Sequence, residues 1–391
     1  MKRKKIAVLG FMANCPIAGV IWQHIHYIVG LQRLGHEVFY VEDTSRIPYD
    51  PVQQTPTEDY TYAAGILARL AAEFGFEGRW AFSPRYKSPE ETAGLSRTFL
   101  NGLYAEADAL LNICGSHELN DDILRSERII YVESDPAVEQ IKVDQGDAAT
   151  LEFLRRHCAR FTFGENIGKP EFPVPLHGVE WLPTRQPVVT DFWRSDGGTA
   201  GCDARFTSIA NLATGGKKDI VWRGESYLWS KLPEFEKYRP TPGLAGEDFE
   251  LATSFKDRAL GELFSGSGWR IVSPDEISVD YRRYVDYVRA SKGEFTVAKD
   301  QYVRLNTGWF SDRSACYLAA GRPVVTQQTG FTRLYGGSEG LLAFETVEQA
   351  AKAVKRIGEN YPAHCRAAAE IAREFFEAET VLRSLLNRAG V

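Results

Sequence analysis

Basic and hydroxyl-bearing side chains lie close together in the sequence where a predicted strand gives way to a predicted helix. Lys299, Tyr302 and Arg304 follow a strand predicted at 293–298, and open α/β sheets bind ligands at the carboxyl ends of their strands. The helix begins within Ser311, Asp312, Arg313 and Ser314. Its free N–H groups and positive dipole end would bind an anion, and Lys and Arg would neutralise phosphates. The spacing therefore predicts a diphosphate site.

Each of these residues also has a plain structural alternative. Ser311 or Asp312 would serve as a helix cap, and Arg304 would serve as a solvated surface charge. Taken singly, each residue favours that alternative, so the phosphate interpretation depends on their occurring together.

A second basic set follows the strand predicted at 204–210. Arg223 and Lys231 come after it and would reach the phosphates from the other side of the crevice. Lys231 lies in the aromatic segment 222–235, whose rings would stack on a nucleobase or an acceptor, or would simply pack. A hydrated surface loop is a better interpretation of Lys217 than of Lys231.

The elements that position these residues alternate between strands and helices. In the first half, strands are predicted at 6–11, 37–42, 109–113, 128–132 and 161–163, with helices at 22–34 and 62–74. Dense prolines make 169–189 an irregular linker. In the second half, strands are predicted at 204–210, 249–252, 269–272, 293–298 and 324–326, with helices at 278–290 and 312–320. The last stretch, 363–386, is predicted to form one or two helices.

Several segments resemble GT-B glycosyltransferases. SDRSACYLAAGRPVVTQQTGF at 311–331 and GLLAF at 340–344 resemble the donor-binding half, and LQRLGHEVFYVED at 31–43 matches the second strand of the acceptor half. PAHCRAAAEIAREFF at 362–376 is similar to the closing helices of these enzymes. The resemblance is nearest to bacterial sequences with a generic, family 1-like glycosyltransferase label, and to the spore-coat CgeB-like branch.

The resemblance implies an α/β fold with two Rossmann-like domains that face each other across a cleft. An acceptor-binding domain is expected at 1–185 and a nucleotide-sugar donor-binding domain at 186–365. A C-terminal helix at 366–391 is expected to pack back on the first domain.

The donor helix departs from the family pattern at one point. Retaining GT-B enzymes usually carry an acid there, in the pattern E-A-x-A-x-G-x-P-V-V, where it holds the nucleotide ribose. Here no acid follows Asp312 within the helix, which carries Tyr317. Contact with the ribose would then fall to Asp312, and both the nucleotide and the stereochemical outcome stay open.

Three loops of the first half follow strands, at 14–19, 115–118 and 133–136, and should converge on the cleft. Under the resemblance, His117 or Asp135 is expected to act as the general base or to contact the sugar.

Alternatives exist for these residues as well. His117 would equally cap a helix starting near Asp121, and Asp135 would equally be an N-cap before Pro136. Gly19 is expected to let the donor approach closely, with a simple turn glycine as the alternative.

Composition argues against several other classes of protein. The 391 residues have a formal net charge of −6, and the only basic run, at 2–5, directly precedes a strand, so no nucleic-acid partner is expected. No run of 18 apolar residues and no signal-peptide core occurs, which predicts a cytoplasmic protein with no integral membrane segment. Six cysteines without a CxxC pair and seven histidines without ligand spacing predict neither disulfides nor a metal site.

The primary hypothesis is a metal-independent, hexosyltransferase-type enzyme. It would move a sugar from a nucleotide-sugar donor to a small-molecule or glycan acceptor, with the nucleotide sugar as a substrate and no cofactor. A GT-B protein that binds a nucleotide or glycan without transfer is the alternative, and a nucleotide-sugar epimerase is a third, weaker one. The oligomeric state, a homodimer included, is open.

Overall fold

The computed structural model describes residues 2–194, 204–212, 216–255 and 257–391. Two large sheets with helices around them make up this part of the chain. The five described cysteines are free, and Cys202 lies outside the described residues. Among the helices of the described residues, none is both long and apolar enough to cross a bilayer.

The first domain contains ten strands and five α-helices within residues 2–194. The strands are β1 Lys5–Leu9, β2 Glu37–Thr44, β3 Tyr49–Asp50, β4 Thr55–Pro56, β5 Trp80–Pro84, β6 Ala93–Gly94, β7 Ala109–Ile113, β8 Ile129–Glu133, β9 Ala159–Thr162 and β10 Leu182–Pro183. The helices are α1 Ala18–Arg33, α2 Thr61–Phe74, α3 Arg97–Glu106, α4 Val138–Asp144 and α5 Ala148–Arg155. Eight strands form one sheet in the order β10-β9-β8-β7-β1-β2-β5-β6, parallel except for β6.

The second domain has a six-stranded parallel sheet in its described residues. The strands after residue 204 are β11 Phe206–Ile209, β12 Ile220–Trp222, β13 Glu225–Tyr227, β14 Phe249–Ala252, β15 Trp269–Val272, β16 Gly293–Thr296, β17 Val324–Gln327 and β18 Leu341–Phe344. The sheet order is β15-β14-β11-β16-β17-β18, and β12 and β13 form a separate antiparallel hairpin.

The helices of this half surround its sheet and then return to the first domain. They are α6 Leu232–Tyr238, α7 Thr241–Ala245, α8 Arg258–Gly266, α9 Asp275–Ser278, α10 Tyr281–Ala290, α11 Asp300–Arg304, α12 Asp312–Ala319, α13 Thr332–Tyr335, α14 Val347–Glu359, α15 Tyr361–Ile371 and α16 Ala378–Arg388.

Helices on both faces explain the apolar runs of the central strands. All of β7 and β8, and β1 beyond its first residue, are buried, as expected for parallel strands covered on both sides. Strand order reverses between β1 and β7 in one sheet and between β11 and β16 in the other. Open α/β sheets bind ligands at such switch points.

The C-terminal helix packs back on the first domain, as predicted. Leu382 of α16 is fully buried and lies against Gly30 of α1, where an added Cβ would meet its Cδ1 at 2.6 Å. Glycine at position 30 therefore lets the two helices approach closely.

Three predicted elements differ from the structure. The linker contains β10, which extends the first sheet beyond β9, because an edge strand tolerates proline. The expected loop after β16 is the short helix α11. The helix predicted at 278–290 is divided into α9 and α10, where Asp280 caps the start of α10 with its side chain.

Candidate functional site

Helix α12 begins at the cleft without a side-chain cap. Its N-cap residue, Ser311, has extended backbone geometry, and the Ser311 hydroxyl does not cap the first turn. Ser314 is fully buried, and its Oγ has no hydrogen-bond partner among the described residues. Apart from the Asp312 N–H, which donates to the carboxylate of its own residue, the N–H groups of the first turn are therefore available to an anion.

Three lysines lie on tryptophan rings at the cleft, and one of them, Lys231, is close to this helix end. The Lys231 ammonium lies 5.4 Å from the centre of the Trp309 ring. The ammonium groups of Lys217 and Lys299 lie 4.2 Å and 3.7 Å from the centre of the Trp229 ring. Burial, with Arg313 and Lys299 nearby, lowers the pKa of Lys231 to about 7. Lys217, for which a hydrated surface loop was a better interpretation than for Lys231, is exposed, and its ammonium lies over an indole ring.

Asp135 joins the two domains at this point. Its carboxylate accepts hydrogen bonds from Lys299 Nζ, at 2.6 Å, and from the Tyr302 hydroxyl. Burial raises the pKa of Asp135, but the charge of Lys299 and the two hydrogen bonds outweigh it and hold the pKa below its usual value. Asp135 is not the N-cap of α4, because that position belongs to Ala137.

Arg313 faces the interior of the second domain. Its guanidinium donates to the Glu294 carboxylate at 2.6 Å and to the Thr296 hydroxyl at 2.9 Å. Glu294 is fully buried. Arg313 therefore adds positive charge near Lys231 but is already paired.

The Asp312 carboxyl group accepts a hydrogen bond from the N–H of its own residue and a second, weaker one from the first domain. Gln23 Nε2 of α1 donates to it across the cleft at 3.5 Å, which is a long contact. Burial, together with the charge of Asp135, raises the pKa of Asp312 to about 7. Asp312 is thus placed to exchange a proton near neutral pH.

Gly19 lies in the first turn of α1, where it is exposed, and an added Cβ would meet nothing within 4 Å. Gln23 lies one turn later on the same helix face and reaches Asp312 and Cys114. Gly19 therefore lies on the side of α1 that faces the cleft, and the space next to it is open.

His117 is buried within the first domain, where both ring nitrogens have partners. Nε2 accepts the Asp43 backbone N–H at 2.9 Å, and Nδ1 lies 2.9 Å from Ser116 Oγ. The Ser116 hydroxyl donates in turn to the Leu9 carbonyl. Burial lowers the pKa of His117 to about 3. Asn120, not His117, caps the following turn.

Arg223 and Arg304 find their partners on the β12–β13 hairpin. Arg223 is exposed and lies 4.5 Å from the Trp222 ring. Arg304 pairs with Glu225 at 2.8 Å and lies 4.2 Å from the Tyr227 ring. The structure does not bring these two arginines into contact with the lysines around Trp229 and Trp309.

Solved structures resemble the chain over almost its whole length. The crystal structure of AviGT4, a glycosyltransferase involved in avilamycin A biosynthesis, is 13% identical with a TM-score of 0.56, covering 99% of this chain and 97% of that chain. Anabaena Alr3699/HepE in complex with UDP is 9% identical, with a TM-score of 0.59 and 99% of each chain covered. Sucrose-phosphate synthase from Thermosynechococcus elongatus is 11% identical, with a TM-score of 0.54 and coverage of 99% and 98%.

The fold is GT-B. Two Rossmann-like domains face each other across the cleft described above, as the sequence predicted. No family model and no curated protein matches the chain.

The GT-B cleft contains a cavity of about 520 Å³ with walls from both domains. Cys114, Ser134 and Asp135 line it on one side, and Lys217 and Trp229 on the other. Within the described residues, no group of His, Cys, Asp or Glu side chains is arranged to hold a metal ion.

Sequence reasoning missed Gln23 and Trp309. Gln23 could have been found from its position one turn after Gly19. Trp309 donates from Nε1 to the Ser134 carbonyl at 3.0 Å, across the domains, and nothing local in the sequence indicates this. Tyr317 of α12 is buried, and its hydroxyl lies 2.6 Å from Thr207 Oγ1, inside the second domain.

Proposed function

We propose that the chain is a glycosyltransferase that takes its sugar from a nucleoside-diphosphate donor bound in the cleft. One observation carries the proposal: two lysines at the cleft have no carboxylate within 4 Å among the described residues. Lys231 lies beside Trp309 and near Arg313, at the α12 end that has no side-chain cap, and Lys217 lines the interdomain cavity. The other cations there, Lys299 and Arg313, are already paired. The diphosphate of a nucleotide sugar is a dianion and would balance the two unpaired charges.

The transfer would use these groups in the following way. An acceptor hydroxyl oxygen attacks the anomeric carbon, the bond from that carbon to the diphosphate breaks, and the hydroxyl proton passes to a base. Lys217, Lys231 and the α12 end would stabilise the departing diphosphate, so the reaction would need no metal.

Asp312 is better suited to take the proton than the two residues expected from the sequence. Its pKa of about 7 matches a general base at neutral pH. Asp135 is held ionised by Lys299, so we assign it the role of positioning Lys299 and Tyr302. His117 has both nitrogens engaged away from the cleft.

Isothermal titration with UDP, ADP, GDP and dTDP tests the proposal. UDP is the first choice because the Anabaena neighbour was solved with it. One nucleotide should bind, and Lys231→Met should weaken it by about 1.5–3 kcal/mol, the loss of one charged contact. Arg258→Ala removes an exposed arginine of α8 that pairs with Glu262, and it is the matched control. Failure of all four nucleotides to bind at millimolar concentration would contradict the proposal.

A binding protein without transferase activity is the second candidate, because no acid follows Asp312 in α12. Incubating the protein with sugar conjugates of the nucleotide that binds distinguishes the two functions. Slow hydrolysis or transfer that disappears in Asp312→Asn, with nucleotide affinity retained, supports the enzyme. Tight binding of the conjugates without any turnover supports the binding protein.

A further inference from the structure

The β12–β13 hairpin is a separate unit of the second domain. Within the described residues its two strands pair with each other and with neither large sheet, and an isolated two-stranded hairpin is at best marginally stable in water. The turn between the strands consists of Arg223 and Gly224, with φ of 51° and 81°. The stability of the hairpin therefore depends on its contacts with the rest of the protein.

The apolar side chains of the hairpin pack on the first domain. Trp222 and Tyr227 are buried, and they belong to the same hydrophobic cluster as Ile141 of α4. The other buried members of this cluster, apart from Leu305, lie within residues 131–181 of the first domain. The hairpin thus crosses the cleft and completes an apolar cluster of the opposite domain.

Two hydrogen bonds join the hairpin to the carboxyl end of α4, and we call them the latch. Trp222 Nε1 donates to the Asp144 carboxylate at 2.7 Å, and Gln145 Nε2 donates to the Val221 carbonyl at 2.5 Å. Hydrogen bonds from Trp222 and His177 lower the pKa of Asp144, so this carboxylate is ionised at neutral pH. The bond from Trp222 is therefore charge-assisted and should be the stronger of the two.

The other strand of the hairpin is bound to its own domain. Asp300 of α11 accepts the Leu228 N–H at 3.1 Å, and Arg304 donates to the Ser226 carbonyl at 2.7 Å and to the Glu225 carboxylate at 2.8 Å. These contacts hold β13 on α11 independently of the first domain. Loss of the latch would therefore release β12 and the turn from α4, while the hairpin stays attached to the second domain.

The hairpin and α4 form walls of the interdomain cavity that come from different domains. Val138 and Ile141 of α4 line the cavity, and so do Ile220 and Val221 of β12. Lys217, which we assign to the diphosphate, precedes β12 and lines the same cavity. A bound nucleotide sugar would thus lie between two walls that the latch joins.

We propose that the β12–β13 hairpin is a lid on the donor site, and that opening of its latch to α4 controls how fast the nucleotide enters and leaves. The inference rests on the proposed function, because it takes the ligand of the cavity to be the nucleotide sugar. A lid that is mostly closed and must open for passage limits association and dissociation alike. A weaker latch should therefore raise both rate constants by the same factor, while the affinity hardly changes, because the closed form still predominates.

Stopped-flow mixing with UDP, or with whichever of ADP, GDP and dTDP binds, measures these rate constants. Trp222→Phe removes the indole N–H but keeps an aromatic ring in the cluster. Both rate constants should rise about tenfold or more, the factor for one lost hydrogen bond to a charged group. Gln145→Ala removes the other bond of the latch and should act in the same direction by a smaller factor. Trp181→Phe makes the same substitution in the same cluster, where the ring packs on Tyr131, and should change neither rate constant.

Limited digestion with trypsin measures the opening of the lid without any nucleotide. Cleavage after Arg223 requires this tight turn to open, so its rate follows the population of the open form. The cleavage rate should rise about tenfold in Trp222→Phe, stay unchanged in Trp181→Phe and fall when the nucleotide is bound. Mass spectrometry identifies the cleaved bond, and thermal melting curves establish that the variants are folded.

Two outcomes would overturn the lid. One is a dissociation rate constant that rises in Trp222→Phe while the association rate constant stays the same, because that pattern indicates a lost contact with the ligand. The other is cleavage after Arg223 that neither latch variant accelerates. If no nucleotide binds, the transferase proposal fails, whereas faster cleavage in Trp222→Phe and Gln145→Ala, but not in Trp181→Phe, still supports the hairpin as a lid on the cavity.

Discussion

Nucleotide-sugar affinity should depend on pH through Lys231. In the free protein its pKa is lowered to about 7, chiefly by burial. A bound diphosphate would stabilise the ammonium form and raise that pKa. Below pH 7 the side chain is already charged, so affinity is near its maximum. Above pH 7 binding must take up a proton, so affinity falls as the pH rises.

The size of the effect follows from the fraction of charged lysine. With a pKa of about 7 in the free protein, affinity should fall about 5-fold from pH 7 to 8 and about 50-fold from pH 7 to 9, as long as the pKa in the complex lies above 9. A nucleotide sugar is the right ligand, because its diphosphate diester has no proton to lose in this range.

Calorimetry in two buffers of different ionisation enthalpy measures both the affinity and the proton uptake. Lys231→Arg should bind with a much flatter pH profile, because arginine stays charged throughout. Asp312 also titrates near pH 7 and would act in the same direction, so Asp312→Asn, with Lys231 intact, is the control. Constant affinity from pH 7 to 9 without proton uptake would refute the role of Lys231.

Three further predictions concern the rest of the molecule. Glu42 is fully buried, and burial raises its pKa to about 7 from 4.5. Protonated Glu42 therefore contributes to the free energy of unfolding in full below pH 4.5, and this contribution is lost as the pH rises through 7. Glu42→Gln should therefore remove roughly 2–3 kcal/mol of the fall in unfolding free energy between pH 5 and 8, measured by urea denaturation. Leu382→Ala should cost about 2–5 kcal/mol in the same assay, because it opens a cavity between α16 and α1. Arg304→Ala should leave nucleotide affinity unchanged, since this arginine pairs with the hairpin; a loss above tenfold would return it to the site.

The main strands could be predicted from the sequence because a strand that is buried on both faces is apolar along its own short segment. The runs at β1 and β7 are apolar along the strand, as buried parallel strands must be. The β12–β13 hairpin was missed although its turn left a signal. Arg223 and Gly224 have φ of 51° and 81°, the positive pair that a two-residue hairpin turn requires, and glycine favours the second position.

The candidate site was predictable only in part, because several of its residues are defined by partners in the other domain. The α12 end and the lysines are segments with their own composition, so the sequence could indicate them. By contrast, Asp135 and Lys299 are 164 positions apart, and their contact depends on how the domains are oriented. The same holds for Trp309 and Ser134, and for Gln23 and Asp312.

The contact between Asp135 and Lys299 also determines which cation should matter most for donor binding. Lys299 is already neutralised by a carboxylate at 2.6 Å, so a diphosphate approaching it must share the ammonium with Asp135 and gains little net attraction. Lys231 has no such partner among the described residues, and burial disfavours its charge until an anion arrives. Affinity should therefore depend more on Lys231 than on Lys299. The cross-domain pair, for its part, fixes the first domain against the start of α11 in the second domain, whether or not a nucleotide is bound.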